Sequence, residues 1–254
     1  GRVMYTNEFM VHHLLQHDRN ADGSWKLQPY FAVTVPEDFG YRKDFSLQGL
    51  VYEVKPDSTE GGIDVPATTK ALYETFKYRG LFLPDGSWDP KVYKDENSET
   101  LSRNYAAAHL QLALYYRRNG EMPKAITEME RIVRMFPNFP EIQTPLGLFY
   151  MEAGDSAKAR AFYQQLVQKF PGSPEAHYYW GASLALEGRT REAAQEFLAA
   201  VNLDPGYSQA WYGLYTSQRQ IGDAEGAIAT LQRWIAVLPN DGFSAATLPE
   251  VGGK

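Results

Sequence analysis

Two short clusters in this 254-residue chain carry side chains that could do chemistry. The first is Asp18, Asn20, Asp22, Gly23 and Ser24. Oxygen ligands at the first, third and fifth positions, with glycine at the sixth, match the first half of a calcium loop. The twelfth position, where such a loop carries a bidentate glutamate, is Pro29. The same residues suit an Asx-rich turn leading into a strand. The segment therefore predicts either calcium, held by Asp18, Asn20, Asp22 and Ser24, or a turn. The second cluster is His13 and His17, which share a helix face and could grip a metal with Asp18 as third ligand. A packed or partly exposed histidine pair is the other reading. No Gly-rich phosphate loop, Gly-x-Ser-x-Gly elbow or His-Glu-x-x-His stretch occurs. The absence of cysteine removes thiol nucleophiles, disulfides and thiolate metal sites. No nucleophilic triad is visible. The chain alone is expected not to be an enzyme, with no catalytic residue and no cofactor other than calcium.

The elements that would position any site are set by a double beat. Pro137, Pro171, Pro205 and Pro239 stand 34 residues apart, as do Gly120, Gly154, Gly188 and Gly222. Ala125, Ala159, Ala193 and Ala227 keep the same step. Each copy predicts helix A, a tight turn, helix B and a closing proline that cannot continue the backbone ladder. The glycine ends helix A, where a left-handed residue is needed. Asp155, Thr190 and Asp223 follow as N-caps for helix B. Large apolar residues at spacings of three, four and seven put a buried stripe on each helix, among them Leu146, Tyr163, Trp180, Phe197, Trp211 and Trp234. Residues 106–239 resemble four tetratricopeptide repeats, in the phases 106–139, 140–173, 174–207 and 208–241. The mid-helix small residue, Ala113, Gly147 and Gly181 in the first three copies, is Tyr215 in the fourth.

The resemblance implies a mainly α fold, a right-handed superhelical α-solenoid over residues 97–239. Residues 242–254 read as a flexible tail. With few helix signals after Pro239, Trp234, Ile235 and Val237 are expected to be left partly uncovered, as a surface for oligomer or filament contacts. Residues 1–96 form a small α/β segment of about two strands. A helix is expected over 5–17. YFAVTV at 30–35 reads as a strand buried on both faces, QGLVYEV at 48–54 as a second strand, and 66–79 as a helix. The first repeat helix is expected to start near Asn97 or Ser98. Two strands are too few to stand alone, so the chain reads as a fragment of a longer polypeptide.

Composition narrows the function classes. At 44% hydrophobic and 14% aromatic residues the chain is not disordered, and a net charge of −6 disfavours nucleic acid. No run of about 18 apolar residues suggests a transmembrane helix.

The segments TNEFMVHHLLQ, PYFAVTV, LQGLVYEVKP, TTKALYETFKYRGL and DPKVYKDENSETLSRNYAAAHLQLA resemble the membrane-proximal tail of a bacterial GT-C-type membrane glycosyltransferase family, similar to the protein O-mannosyltransferases. That resemblance implies a multi-helix membrane domain upstream that transfers sugar from a lipid carrier. It also implies an extracytoplasmic, periplasmic place for this chain, with a role in docking an acceptor or holding an assembly. None of that family's catalytic residues falls in this stretch.

Repeat arrays of this kind present helix A residues on an inner face. The positions singled out there are Arg118, Leu148, Met151, Tyr178, Tyr212, Thr216 and Arg219. Tyr178 and Tyr212 would form a ledge for a protein or peptide partner, or for a glycan stacked on an aromatic face. The other reading is that these side chains only cover neighbouring helices. The Lys and Asn of a carboxylate clamp are absent from these positions. A free-standing peptide-binding scaffold and a structural subunit remain the alternatives.

Overall fold

The 34-residue step is realised as helical hairpins. The structure, a computed structural model, describes residues 13, 15–22, 24–32, 45–54, 62–76, 81–239 and 241. The chain divides into two compact units, Gly1–Met135 and Phe136–Lys254.

The first unit contains a four-stranded sheet and one helical hairpin. The strands are β1 (Tyr30–Ala32), β2 (Phe45–Gln48), β3 (Val51–Val54) and β4 (Gly62–Ile63), in the order β1-β3-β2-β4. β3 pairs antiparallel with both β1 and β2, while β4 runs parallel to β2. The sequence pattern suggested two strands, with 48–54 as one. The structure corrects this. Gly49 has φ +69, and a Cβ there would sit 2.7 Å from Ala71 Cβ. The chain therefore turns at Gly49–Leu50 and makes a hairpin, the conformation that a two-residue loop with positive φ supports. β1 pairs with β3 on one side, and Tyr30 is 52% exposed, so this strand is not buried on both faces. Its predicted extension over 33–35 lies outside the described residues, as does most of the predicted 5–17 helix, of which 13 and 15–17 are helical.

Helix α1 (Val65–Lys70) is capped by Asp64, whose side chain accepts from Ala67 N at 3.0 Å. It passes into one π-helical turn, Ala71–Thr75, and Phe76 is already extended. α2 (Glu96–Arg118) starts one residue before the predicted region and is capped by Asp95 through Ser98 N at 2.7 Å. It forms a hairpin with α3 (Met122–Met135). Leu72, Ala108 and Leu112 form a small core beneath them, bordered by Leu50, Ile63, Phe76 and Tyr105.

The second unit is three hairpins: α4 (Pro140–Glu152) with α5 (Ser156–Lys169), α6 (Pro174–Leu186) with α7 (Thr190–Leu203), and α8 (Ser208–Gln220) with α9 (Ala224–Val237). Each helix A also packs on the next, α4 on α6 and α6 on α8. The beat glycines sit at the ends of helix A. Gly154 has φ +80; its N–H reaches Met151 O at 3.0 Å and Asp155 N–H reaches Tyr150 O at 2.9 Å, a Schellman closure. Asp155 and Asp223 cap helix B through Lys158 N and Gly226 N, both at 2.9 Å. Thr190 does not cap. It is the first helical residue of α7, after an Arg189 that makes no side-chain cap bond.

One core cluster runs from α5 to α9, with Tyr163, Trp180, Phe197, Trp211, Tyr215 and Trp234 among its members. Phe197 packs beside two backbone gaps. A Cβ on Gly181 would meet its ring at 3.0 Å, and one on Gly213 at 2.8 Å. The bulk of Tyr215, 2% exposed, is thus accommodated with the small residue moved to Gly213. At the C-terminal end Trp234 is fully buried, contrary to the sequence expectation. Ile235 is half-buried and Val237 is 44% exposed. Residues 242–254 lie outside the described residues.

Candidate functional site

Helical spacing puts the predicted groove positions of the second unit on one stripe of each helix A. On α4 these are Leu148, 36% exposed, and Met151, half-buried against the core. On α8 they are Tyr212, Thr216 and Arg219. Tyr212 is 43% exposed. The Thr216 hydroxyl donates to Tyr212 O at 2.8 Å, so it bonds back to its own helix. The Arg219 guanidinium lies 5.7 Å from the Tyr215 ring centre. Tyr178 on α6 is different in kind. Its ring meets Tyr207 at 5.0 Å, Tyr179 at 5.1 Å and Phe197 at 5.8 Å. Burial pushes its hydroxyl pKa up, with the neighbouring Tyr179 adding to the effect. Tyr178 is thus half core, and Tyr212 is the more open tyrosine. Sequence reading missed Leu186, at the end of α6 and 74% exposed. Arg118, exposed in the last turn of α2, belongs to the first unit.

The loop at 18–24 holds its oxygens to itself. Asp22 Oδ1 accepts from Ser24 N at 3.0 Å and from Ser24 Oγ at 2.6 Å, which keeps the Asp22 carboxyl below its ordinary pKa. Asn20 Nδ2 donates to Ser24 Oγ at 3.0 Å, and Leu27 N to Asp18 Oδ2 at 3.3 Å. Arg19 stacks over Trp25 at 4.3 Å, and Trp25 Nε1 donates to Val54 O at 2.8 Å, which ties the loop to β3. Gly23 lies outside the described residues. The rings of His13 and His17 stack at 4.1 Å, and His17 Nδ1 is 2.9 Å from His13 O. Among the described residues no three His, Cys, Asp or Glu side chains cluster as a metal site would need.

Two histidine–carboxylate pairs escaped the sequence reading. His109 Nδ1 lies 2.7 Å from Glu128 Oε2, with His109 fully buried and Glu128 6% exposed. Tyr73 O–H donates to Glu128 Oε1 at 2.6 Å, and burial with this bond raises the Tyr73 pKa. His109 Nε2 is buried with no partner. His177 Nδ1 lies 2.7 Å from Glu196 Oε2, and its Nε2 is 3.1 Å from Pro171 O. The bond to Glu196 raises the His177 pKa against the opposing effect of burial. Both pairs are separated by 19 residues, and both histidines hold the fourth position of their repeats. That repeated spacing was the signal available in the sequence.

A family model described as the tetratricopeptide repeat matches residues 110–174, 145–208 and 175–244, which together span more than half of the chain. The chain belongs to the tetratricopeptide repeat family. Among solved structures it is similar to the MamA protein, at 21% identity and a TM-score of 0.47 over 57% of this chain and 80% of that one. A second MamA structure aligns with 63% of this chain and 86% of its own length, at 21% identity and a TM-score of 0.44. YrrB, a TPR protein with an unusual peptide-binding site, is 20% identical, with a TM-score of 0.45 over 61% of this chain and 83% of that one. No curated protein matches the sequence.

Proposed function

We propose that the chain is a non-catalytic interaction module that holds a protein or peptide partner on the helix A stripes of the second unit. The observation that carries this reading is that each of three successive helix A elements leaves a large apolar side chain exposed, Leu148, Leu186 and Tyr212, beside a well-filled core. Exposed apolar surface of this kind marks contact sites. The fates of the two histidine–carboxylate pairs support the non-catalytic reading. One is sealed from solvent, and the other spends its second ring nitrogen on a backbone carbonyl.

The finer reading is that this module is the extracytoplasmic C-terminal region of a GT-C-type membrane glycosyltransferase. Its support is the segment resemblance alone. Among the described residues no helix is long and apolar enough to cross a membrane. The coding sequence upstream of Gly1 tests this part directly, since a series of apolar stretches of about 20 residues is expected there. For the groove, a displayed random-peptide library is selected on the folded chain. Selected peptides are expected to lose most of their affinity for Tyr212→Ala and Leu148→Ser, with melting temperatures close to wild type. Peptides that bind these variants as well as the parent refute the groove.

A further inference from the structure

A surface cavity of about 480 Å³ in the first unit is lined by Leu72, Tyr73, Pro84, Asp85, Arg131 and Arg134. Its volume is in the range of small-molecule sites. The Arg131 guanidinium lies 4.6 Å from the centre of the Tyr73 ring and donates through Nη1 to Asp85 O at 3.4 Å. Its Nε is buried without an acceptor. Arg134, one helical turn further on, is exposed; its charge helps to hold the Asp85 carboxyl below its ordinary pKa, and its side chain makes no hydrogen bond among the described residues. The nearby acids are already engaged. Asp85 Oδ1 accepts from Ser87 N at 3.0 Å and Ser87 Oγ at 2.7 Å. Glu128 accepts from Tyr73 and pairs with His109. Two guanidiniums therefore line a cavity with donors to spare, and one of them is held over the Tyr73 ring, an arrangement that can receive planar anions.

We propose that this cavity binds the carboxylate of a small organic acid. Phosphate would also match a guanidinium fork. Two features favour a single charge. Asp85 lies in the same lining, and like-charge repulsion on a dianion is about twice that on a monoanion. The C-terminal end of α3 also carries a partial negative charge. The cavity exceeds a bare carboxylate, and Pro84 offers an apolar wall to the acid's body.

The test titrates the full chain with benzoate, its neutral analogue benzamide, and inorganic phosphate, following the amide resonances of Tyr73 and Arg134. Benzoate is expected to shift them saturably and benzamide to leave them still. Arg134→Gln should weaken benzoate by about tenfold, the loss of one charge-assisted hydrogen bond, while Arg134→Lys retains most of the affinity. Arg134 is exposed, so its variants should fold normally. Arg131→Gln, checked for folding by circular dichroism, should weaken benzoate as well. No shift with benzoate, equal binding of benzamide, tighter binding of phosphate, or an Arg134→Gln titration matching wild type would each overturn the assignment.

Discussion

Replacing Gly147 by alanine tests the packing argument at its tightest point. An added Cβ would lie 2.1 Å from Tyr163 Cζ and 2.5 Å from both Cε1 and the hydroxyl oxygen. The ring has little room to retreat. Tyr163 is fully buried, its hydroxyl donates to Thr144 O at 3.3 Å, and Tyr179 stacks on it at 5.8 Å with an 8° interplanar angle. Overpacking of this kind costs about 1–3 kcal/mol. Alanine's better helix propensity returns about 1 kcal/mol. A clash this deep belongs at the upper end of the range, so the net loss should be about 2 kcal/mol. Gly181→Ala should come out near zero, because its contacts with Phe197 begin at 3.0 Å and the propensity gain offsets them. Gly172 provides the control, with no atom within 4 Å of an added Cβ and no positive φ. Gly154→Ala separates handedness from crowding, since it meets nothing within 4 Å yet has φ +80. It should lose about 1–2 kcal/mol. Urea unfolding followed by tryptophan fluorescence and circular dichroism ranks the four variants. A Gly147→Ala protein as stable as Gly172→Ala would refute the claim that Tyr163 fills a slot that only glycine leaves open.

Two further outcomes follow from the histidine–carboxylate pairs. The folded-state pKa of His177 is raised by Glu196 above the ordinary histidine value of about 6.5. The stability it adds is therefore full below that value and is lost as pH rises through the raised one. The stability difference between wild type and His177→Gln should be full below the ordinary histidine value and shrink as pH rises through the raised one; a pH-independent difference counts against the pair. Glu128→Met strips the partner from buried His109 and from Tyr73, at about 1–3 kcal/mol for each polar group left unmet. The double variant with His109→Leu should be more stable than Glu128→Met alone, and urea midpoints showing the opposite order would rule out a buried polar debt at this site.

The repeat beat made the second unit legible because each of its residues answers one local demand. Glycine at Gly154 reaches positive φ, and the prolines stop helix B. The first unit lacks such a code. The stretch 48–54 reads as one strand because nothing within it but Gly49 marks a turn, and the role of Gly49 depends on Ala71 arriving from a distant helix. β4 is two residues long, too short to carry a period. The groove was legible as positions but not as exposures. Tyr178 and Tyr212 occupy equivalent places, yet Tyr207 covers the first. Leu186 escaped because the core periodicity carries no label for the outward end of helix A.

The closing prolines do more than end helices. In the second unit the donor at the fourth position of each repeat reaches a carbonyl at the proline six residues earlier. Gln143 Nε2 donates to Pro137 O at 2.6 Å, His177 Nε2 lies 3.1 Å from Pro171 O, and Trp211 Nε1 donates to Pro205 O at 2.9 Å. Three different side chains meet the same proline carbonyl, which ties the start of each helix A to the corner that precedes it. The matching residue six before His109 is Arg103, in the middle of α2, where the backbone carbonyls are used by the helix itself. His109 Nε2 accordingly has no partner. The first repeat has the donor of a following repeat but no proline corner ahead of it, so His109 keeps the Nδ1 pairing with a carboxylate that His177 also has and lacks only the second bond. The unmet Nε2 of His109 is thus the physical consequence of helix A running on, over 23 residues, past the place where the other repeats break.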